Sequence, residues 1–82
     1  MSLEEAARQL KMAGHDAQVA FDCVGLGDLE RAQEHAVTLR AAADAAEVAL
    51  SRALQDLTPE QAQAEGEKAI RLMEDARPAA GT

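Results

Sequence analysis

Apolar residues recur along this chain in alternating steps of three and four. From Leu29 they fall at Ala32, Ala36, Leu39, Ala43, Ala46, Leu50, Ala53 and Leu57 without a miss, the spacing of one buried stripe on a long α-helix. Asp28 is placed to cap its start, and Thr58-Pro59 closes its end because the residue before a proline is pushed out of the helical region. The pattern predicts a helix over about 28–57, on the order of 45 Å long. A second apolar set, Val37, Ala41, Ala45 and Val48, lies off the stripe. Gln33, Arg40, Asp44, Glu47, Ser51 and Gln55 are left as one polar strip. A helix with a single wet edge is expected to be covered on its other sides, so this helix is read as the centre of the fold.

The segment before it carries the same rhythm at Leu3, Ala7, Leu10, Gly14, Ala17, Phe21 and Val24, widened by Ala6, Ala13 and Ala20. Ser2 and Glu5 have the spacing of a capping box. A first helix is predicted over about 3–24, with Gly14 marking a close approach to helix two. Gly25-Leu26-Gly27 then reverses the chain into an antiparallel hairpin. Thr58, Pro59, Glu60 and Gln61 form a strong start signal for a third, shorter helix over about 59–76. Its stripe, Ala62, Gly66, Ala69, Met73 and Ala76, has little apolar bulk in the first half, which is expected to fray or lean on a partner. It is expected to cover the overhanging end of helix two. Residues 77–82, with their proline and glycine, are expected to be a disordered tail.

The fold class expected is therefore all-α: one domain over 1–76, a hairpin plus a third helix, bundle-like and self-associating. Leu10, Phe21, Val24, Leu29, Leu39 and Leu50 are the expected intramolecular core. Val37, Ala41, Val48, Leu54, Ile70 and Met73 are the expected interface.

Composition narrows the function. With 82 residues, no tryptophan or tyrosine and Phe21 as the only aromatic, the core must be aliphatic, and a chain this small has a thin stability margin without a staple or a partner. Cys23 stands alone and cannot form an internal disulfide. No basic segment followed by an apolar run reads as a signal peptide, so the expected compartment is the cytoplasm. Charged residues interrupt every apolar run before a membrane span is reached. The net charge of −7 is spread evenly along the chain, with six arginines interspersed and no basic stripe, which disfavours nucleic acid and anionic membranes. The alanine- and arginine-rich, lysine-poor composition suggests a GC-rich bacterial genome.

The candidate chemistry is sparse. A hairpin about Leu26 brings His15 and His35 towards each other, with Asp16 and Glu34 nearby, but no His-x-x-x-His, Glu-x-x-His or Cys-x-x-Cys spacing selects a metal. Solvated flanking histidines are the expected reading, with no metal and no cofactor. Cys23 reads as a small buried hydrophobe. Neither Ser2 nor Ser51 sits in a nucleophile motif, and Gly25-Leu26-Gly27 follows a helix rather than a strand, so no phosphate loop is present. An enzyme is not expected.

In outline the chain is similar to an acyl carrier protein, but Gly27-Asp28-Leu29 lacks the serine that accepts the carrier arm. The run from Ala20 through Gly27-Asp28-Leu29-Glu30-Arg31-Ala32 resembles the inter-helix turn of a tetratricopeptide repeat. That repeat's bulky aromatic positions are missing, helix two is about twice its length, and no second copy follows. The run is read as an ordinary helical turn.

What remains is a non-catalytic protein-contact or assembly module acting through the alanine-rich flank of helix two, self-associating or docked on a partner protein. The alternative is an acidic inhibitor that presents carboxylates to a basic surface. Apolar docking tolerates salt, whereas a charge-driven complex weakens with it.

Overall fold

The structure, a computed structural model, describes residues 2–75. The expected tail lies outside them. Three helices hold 69 of these 74 residues: α1 (Ser2–Gly25), α2 (Leu29–Asp56) and α3 (Pro59–Asp75). The fold is all-α, an antiparallel hairpin with a third helix, and the three are arranged in a bundle-like way. Among the described residues, no helix is long and apolar enough to cross a membrane.

The helix ends follow from local chemistry. Gly27 takes a left-handed conformation at φ 75°, which lets Gly27 N donate to Val24 O (3.0 Å) and Asp28 N to Cys23 O (2.9 Å). This paired bond closes the last turn of α1. Asp28 then starts α2, its carboxylate accepting from Arg31 N at 3.2 Å. One residue thus ends one helix and begins the next. α2 stops at Leu57, whose extended backbone leads to Thr58-Pro59. At α3 the capping box is complete: Gln61 N donates to Thr58 Oγ1 (3.1 Å) and Thr58 N to Gln61 Oε1 (2.9 Å). At the start of α1, Glu5 is engaged by Arg8 and by Gln9 Nε2 at 2.8 Å.

Packing departs from the sequence reading in three ways. First, α1, not α2, is the helix on which both others mainly pack: it lies along α2 and over a shorter span against α3. Leu3 and Ala62 line one hollow, while Lys11 Nζ donates to Met73 O at 3.0 Å, so α3 runs parallel to α1 and beside its first half only.

Second, the buried side chains are small. They are Ala6, Ala13 and Cys23 of α1, Ala32, Ala42, Ala46, Ala49 and Ala53 of α2, and Ala69 of α3, joined by Asp16. The expected core residues Leu10, Phe21, Val24, Leu29 and Leu50 lie outside, at 50, 75, 60, 66 and 39% exposure, and Leu39 is half-buried. The cause is geometric. On α1 the buried Ala6 and Ala13 lie beside the Leu3–Val24 stripe, while on α2 the three-four stripe itself divides, with Ala32, Ala46 and Ala53 turned inward and Leu29, Ala36, Ala43 and Leu50 outward. The two helices meet along the alanines, which let two backbones approach closely.

Third, Gly14 is exposed, and a Cβ built on it would meet nothing within 4 Å. It marks no approach to α2.

The result is a flat molecule. Its Cα envelope measures 46 × 35 × 14 Å, with a radius of gyration of 15.2 Å, against about 12 Å for a compact chain of this length.

Candidate interaction surface

Because the alanine stripes face inward, the leucine stripes face outward, and they share a side. Leu3, Ala7 and Leu10 of α1 border the same hollow as Leu50 of α2 and Gly66, Ala69 and Ile70 of α3. This hollow joins one at the end of α2, with Leu54, Leu57 and Ala62, and another between α1 and α3, with Met73. Continued at the same spacing, the stripes carry Gly14, Ala17, Phe21 and Val24 on α1 and Leu29, Ala36 and Ala43 on α2 beyond the reach of α3. All seven are exposed. Leu26 in the connection, at 82% exposure, completes an apolar tip. Seven positions of the α1 stripe, from Leu3 to Val24, include no charged residue.

The other side of the hairpin is polar. Arg8 pairs there with Glu4 at 3.5 Å and with Glu5, and Met12 and His15 border a shallow hollow beside them. The apolar side is flanked by charge as well: Ala36 shares a hollow with Gln33, Arg40 and Asp44, and Lys11 and Glu74 border the groove between α1 and α3.

The six expected interface residues do not form one surface. Val37 (63% exposed), Ala41 and Val48 (50% exposed) lie on the back of α2, roughly opposite its contact with α1. Leu54, at 84% exposure, stands in the hollow at the end of α2. Ile70 and Met73 line the groove between α1 and α3, with Ile70 54% exposed and Met73 half-buried. The tip residues Phe21, Val24 and Leu29 belong to the open surface, but the sequence reading assigned them to the core. Their helical spacing is the same in either role. The signal that distinguishes them is the unbroken alanine stripe one position away on α1, at Ala6, Ala13 and Ala20.

Between the helices, His35 Nδ1 lies 2.9 Å from Asp16 Oδ1. The two histidines therefore do not pair: His35 turns to Asp16 while His15 is exposed. Among the described residues, no group of three or more His, Cys, Asp or Glu side chains is placed to hold a metal ion. The hydrogen bond with His35 holds the Asp16 carboxyl below its ordinary value. Burial opposes this, and Thr38 and His15 reinforce it.

Because the folded value is depressed, the stabilisation from Asp16 is fully present above the ordinary carboxylate range, about pH 4, and is lost as the pH falls through the folded value. Between pH 5 and pH 2 the melting temperature of the parent should therefore fall by more than that of Asp16→Asn. Identical slopes in a thermal titration would mean that the contact does not stabilise the fold.

Comparison with known protein families, with curated proteins and with solved structures finds no match for this chain.

Proposed function

We propose that this chain is a small, non-catalytic assembly module that acts by apolar contact with other protein chains. One observation carries the reading: the buried apolar side chains are alanines and Cys23, while most of the large aliphatic side chains and Phe21 are exposed. A contiguous apolar face of this kind on a water-facing protein marks a contact surface. We assign the contact to the leucine face, from Leu10 to Leu29, ahead of the back of α2, where Val37 and Val48 are the only large apolar side chains. The free, buried Cys23 suits a reducing compartment, which supports a cytoplasmic setting. Charge mimicry is the weaker reading, because the polar side mixes acids with Arg8 and His15.

The test is the size of the tagged chain in native extract, compared with that of a Phe21→Glu/Leu29→Glu variant. The parent should elute well above its 8.7 kDa mass and keep doing so at raised salt. The variant should elute as a monomer with unchanged helicity by circular dichroism, since both side chains are more than half exposed in the protomer. A parent that is monomeric in extract would remove the assembly reading. Dissociation by salt alone would favour the acidic-inhibitor alternative.

A further inference from the structure

The leucine face continues beneath α3, where Leu3, Ala7, Leu10 and Leu50 meet Gly66, Ala69 and Ile70. We propose that α3 is a separately opening cover for this half of the face: it leaves α1 while the α1–α2 hairpin stays folded. The opening stands on the packing described here, and its role as a cover rests on the contact reading above. Three observations support it.

The first is how little holds α3. Among the described residues it buries only Ala69, whereas α1 and α2 bury nine side chains between them. Ile70 and Leu72 are exposed. α3 packs mainly on α1 and over a short span, and the groove between the two stays open, about 450 Å³ bordered by Leu10 and Met73. A segment with few buried apolar contacts opens at lower free energy than the rest of its fold.

The second is how α3 is joined. Only Leu57 and Thr58 lie between α2 and α3, and Leu57 is extended. The start of α3 is closed by its own Thr58 and Gln61, so its cap asks nothing of α1. Among the described residues one hydrogen bond crosses from α3 to the hairpin, from Lys11 Nζ to Met73 O, and it is exposed to solvent. The hairpin, by contrast, is tied within its seam by Asp16 and His35.

The third is charge. α1 carries four acids and two bases, and α3 carries five acids and two bases. Among the described residues no ion pair joins them. Two acidic helices laid side by side repel, and nothing across their contact offsets it.

A released helix of 17 residues is marginal in water, so undocking and unwinding are one event. Its effect is to bare Leu3, Ala7 and Leu10, which then continue without a break into Gly14, Ala17, Phe21 and Val24. α3 thereby competes with any protein chain that contacts this half of the face.

The experiment is thiol labelling of the full chain under native conditions. Ala69 and Ala42 are both 3% exposed, one under α3 and one in the hairpin seam. Each is changed to cysteine, with Cys23 as the internal reference, and every rate is divided by that of the same thiol in denaturant. Ala69→Cys should react about 100-fold faster than Ala42→Cys or Cys23, the factor for an opening about 3 kcal/mol easier than global unfolding. Amide exchange in the unsubstituted chain should show the same order, α3 ahead of α2, which excludes loosening by the substitution itself.

Equal normalised rates, or uniform amide protection, overturn the proposal, because α3 then opens only with the whole chain. Cover is read separately, from the size of the Ala69→Glu variant in native extract. A larger share of it than of the parent should elute in complex, and Phe21→Glu should abolish the gain. Fast labelling with no gain overturns the cover role alone. Fast labelling with both chains monomeric in extract removes the contact reading and keeps the opening.

Discussion

Ala46→Leu should lower the stability of the hairpin by about 2–3 kcal/mol, whereas Ala43→Leu, three residues away, should leave it little changed. Ala46 is 1% exposed, where α2 meets α1, and the buried side chains of the two helices are alanines with Cys23 and Asp16. Three added carbons have no void to enter, so they must force the helices apart or adopt a poor rotamer. For a domain of this size the loss corresponds to a fall of roughly 10–20 °C in melting temperature. Ala43 is exposed, and leucine there gains helix contacts without meeting a wall. Thermal denaturation followed by circular dichroism checks both. Equal losses, or a larger loss at Ala43, would mean that the leucine stripe of α2 is the one packed on α1.

Ala69→Glu should detach α3 and leave the hairpin standing. Ala69 is 3% exposed and sits among Leu3, Ala7, Leu10 and Leu50, with no cation in that hollow to pair with a carboxylate. Burying an unpaired charge costs several kcal/mol, more than a short helix packed mainly on α1 can offset. A 17-residue helix released into water is marginal on its own, whatever its cap. Since α3 holds 17 of the 69 helical residues, ellipticity at 222 nm should fall by about a quarter. Amide exchange should remain slow in α1 and α2. Cooperative loss of the whole signal would show instead that α3 is integral to the hairpin.

The helices themselves were legible. Three-four spacing located all three, and Asp28, Gly27, Thr58 and Gln61 fixed their ends through bonds that depend only on near neighbours. The choice of buried stripe was not legible. Leu10 and Ala13 both recur at helical spacing, and transfer free energy favours burying the leucine. What decides for Ala13 is that two helices bearing alanine can approach so closely that their backbones pack, a property of the pair that neither segment carries alone. For the same reason, an apolar stripe left on the outside reads like one packed into the chain's own core. Phe21 was therefore assigned inward, although it stands 75% exposed. Asp16 was noted only as a neighbour of the histidines. Its place in the seam became visible once Ala13 and Cys23 were seen to share its side of the helix.

That placement has a consequence for how the chain finds its alignment. Sliding α2 along α1 by one heptad sets alanine against alanine again for most of the seam, so packing alone distinguishes poorly between the native pairing and its neighbours. Asp16 distinguishes them sharply, because a slipped hairpin buries its carboxylate away from His35. The contact lies about ten residues from the turn, early enough for a hairpin zipping outward from Gly27 to be checked before its far halves commit. In acid, where the carboxylate is neutral, that check is lost while the helices persist, and the two halves of the hairpin become free to settle out of step.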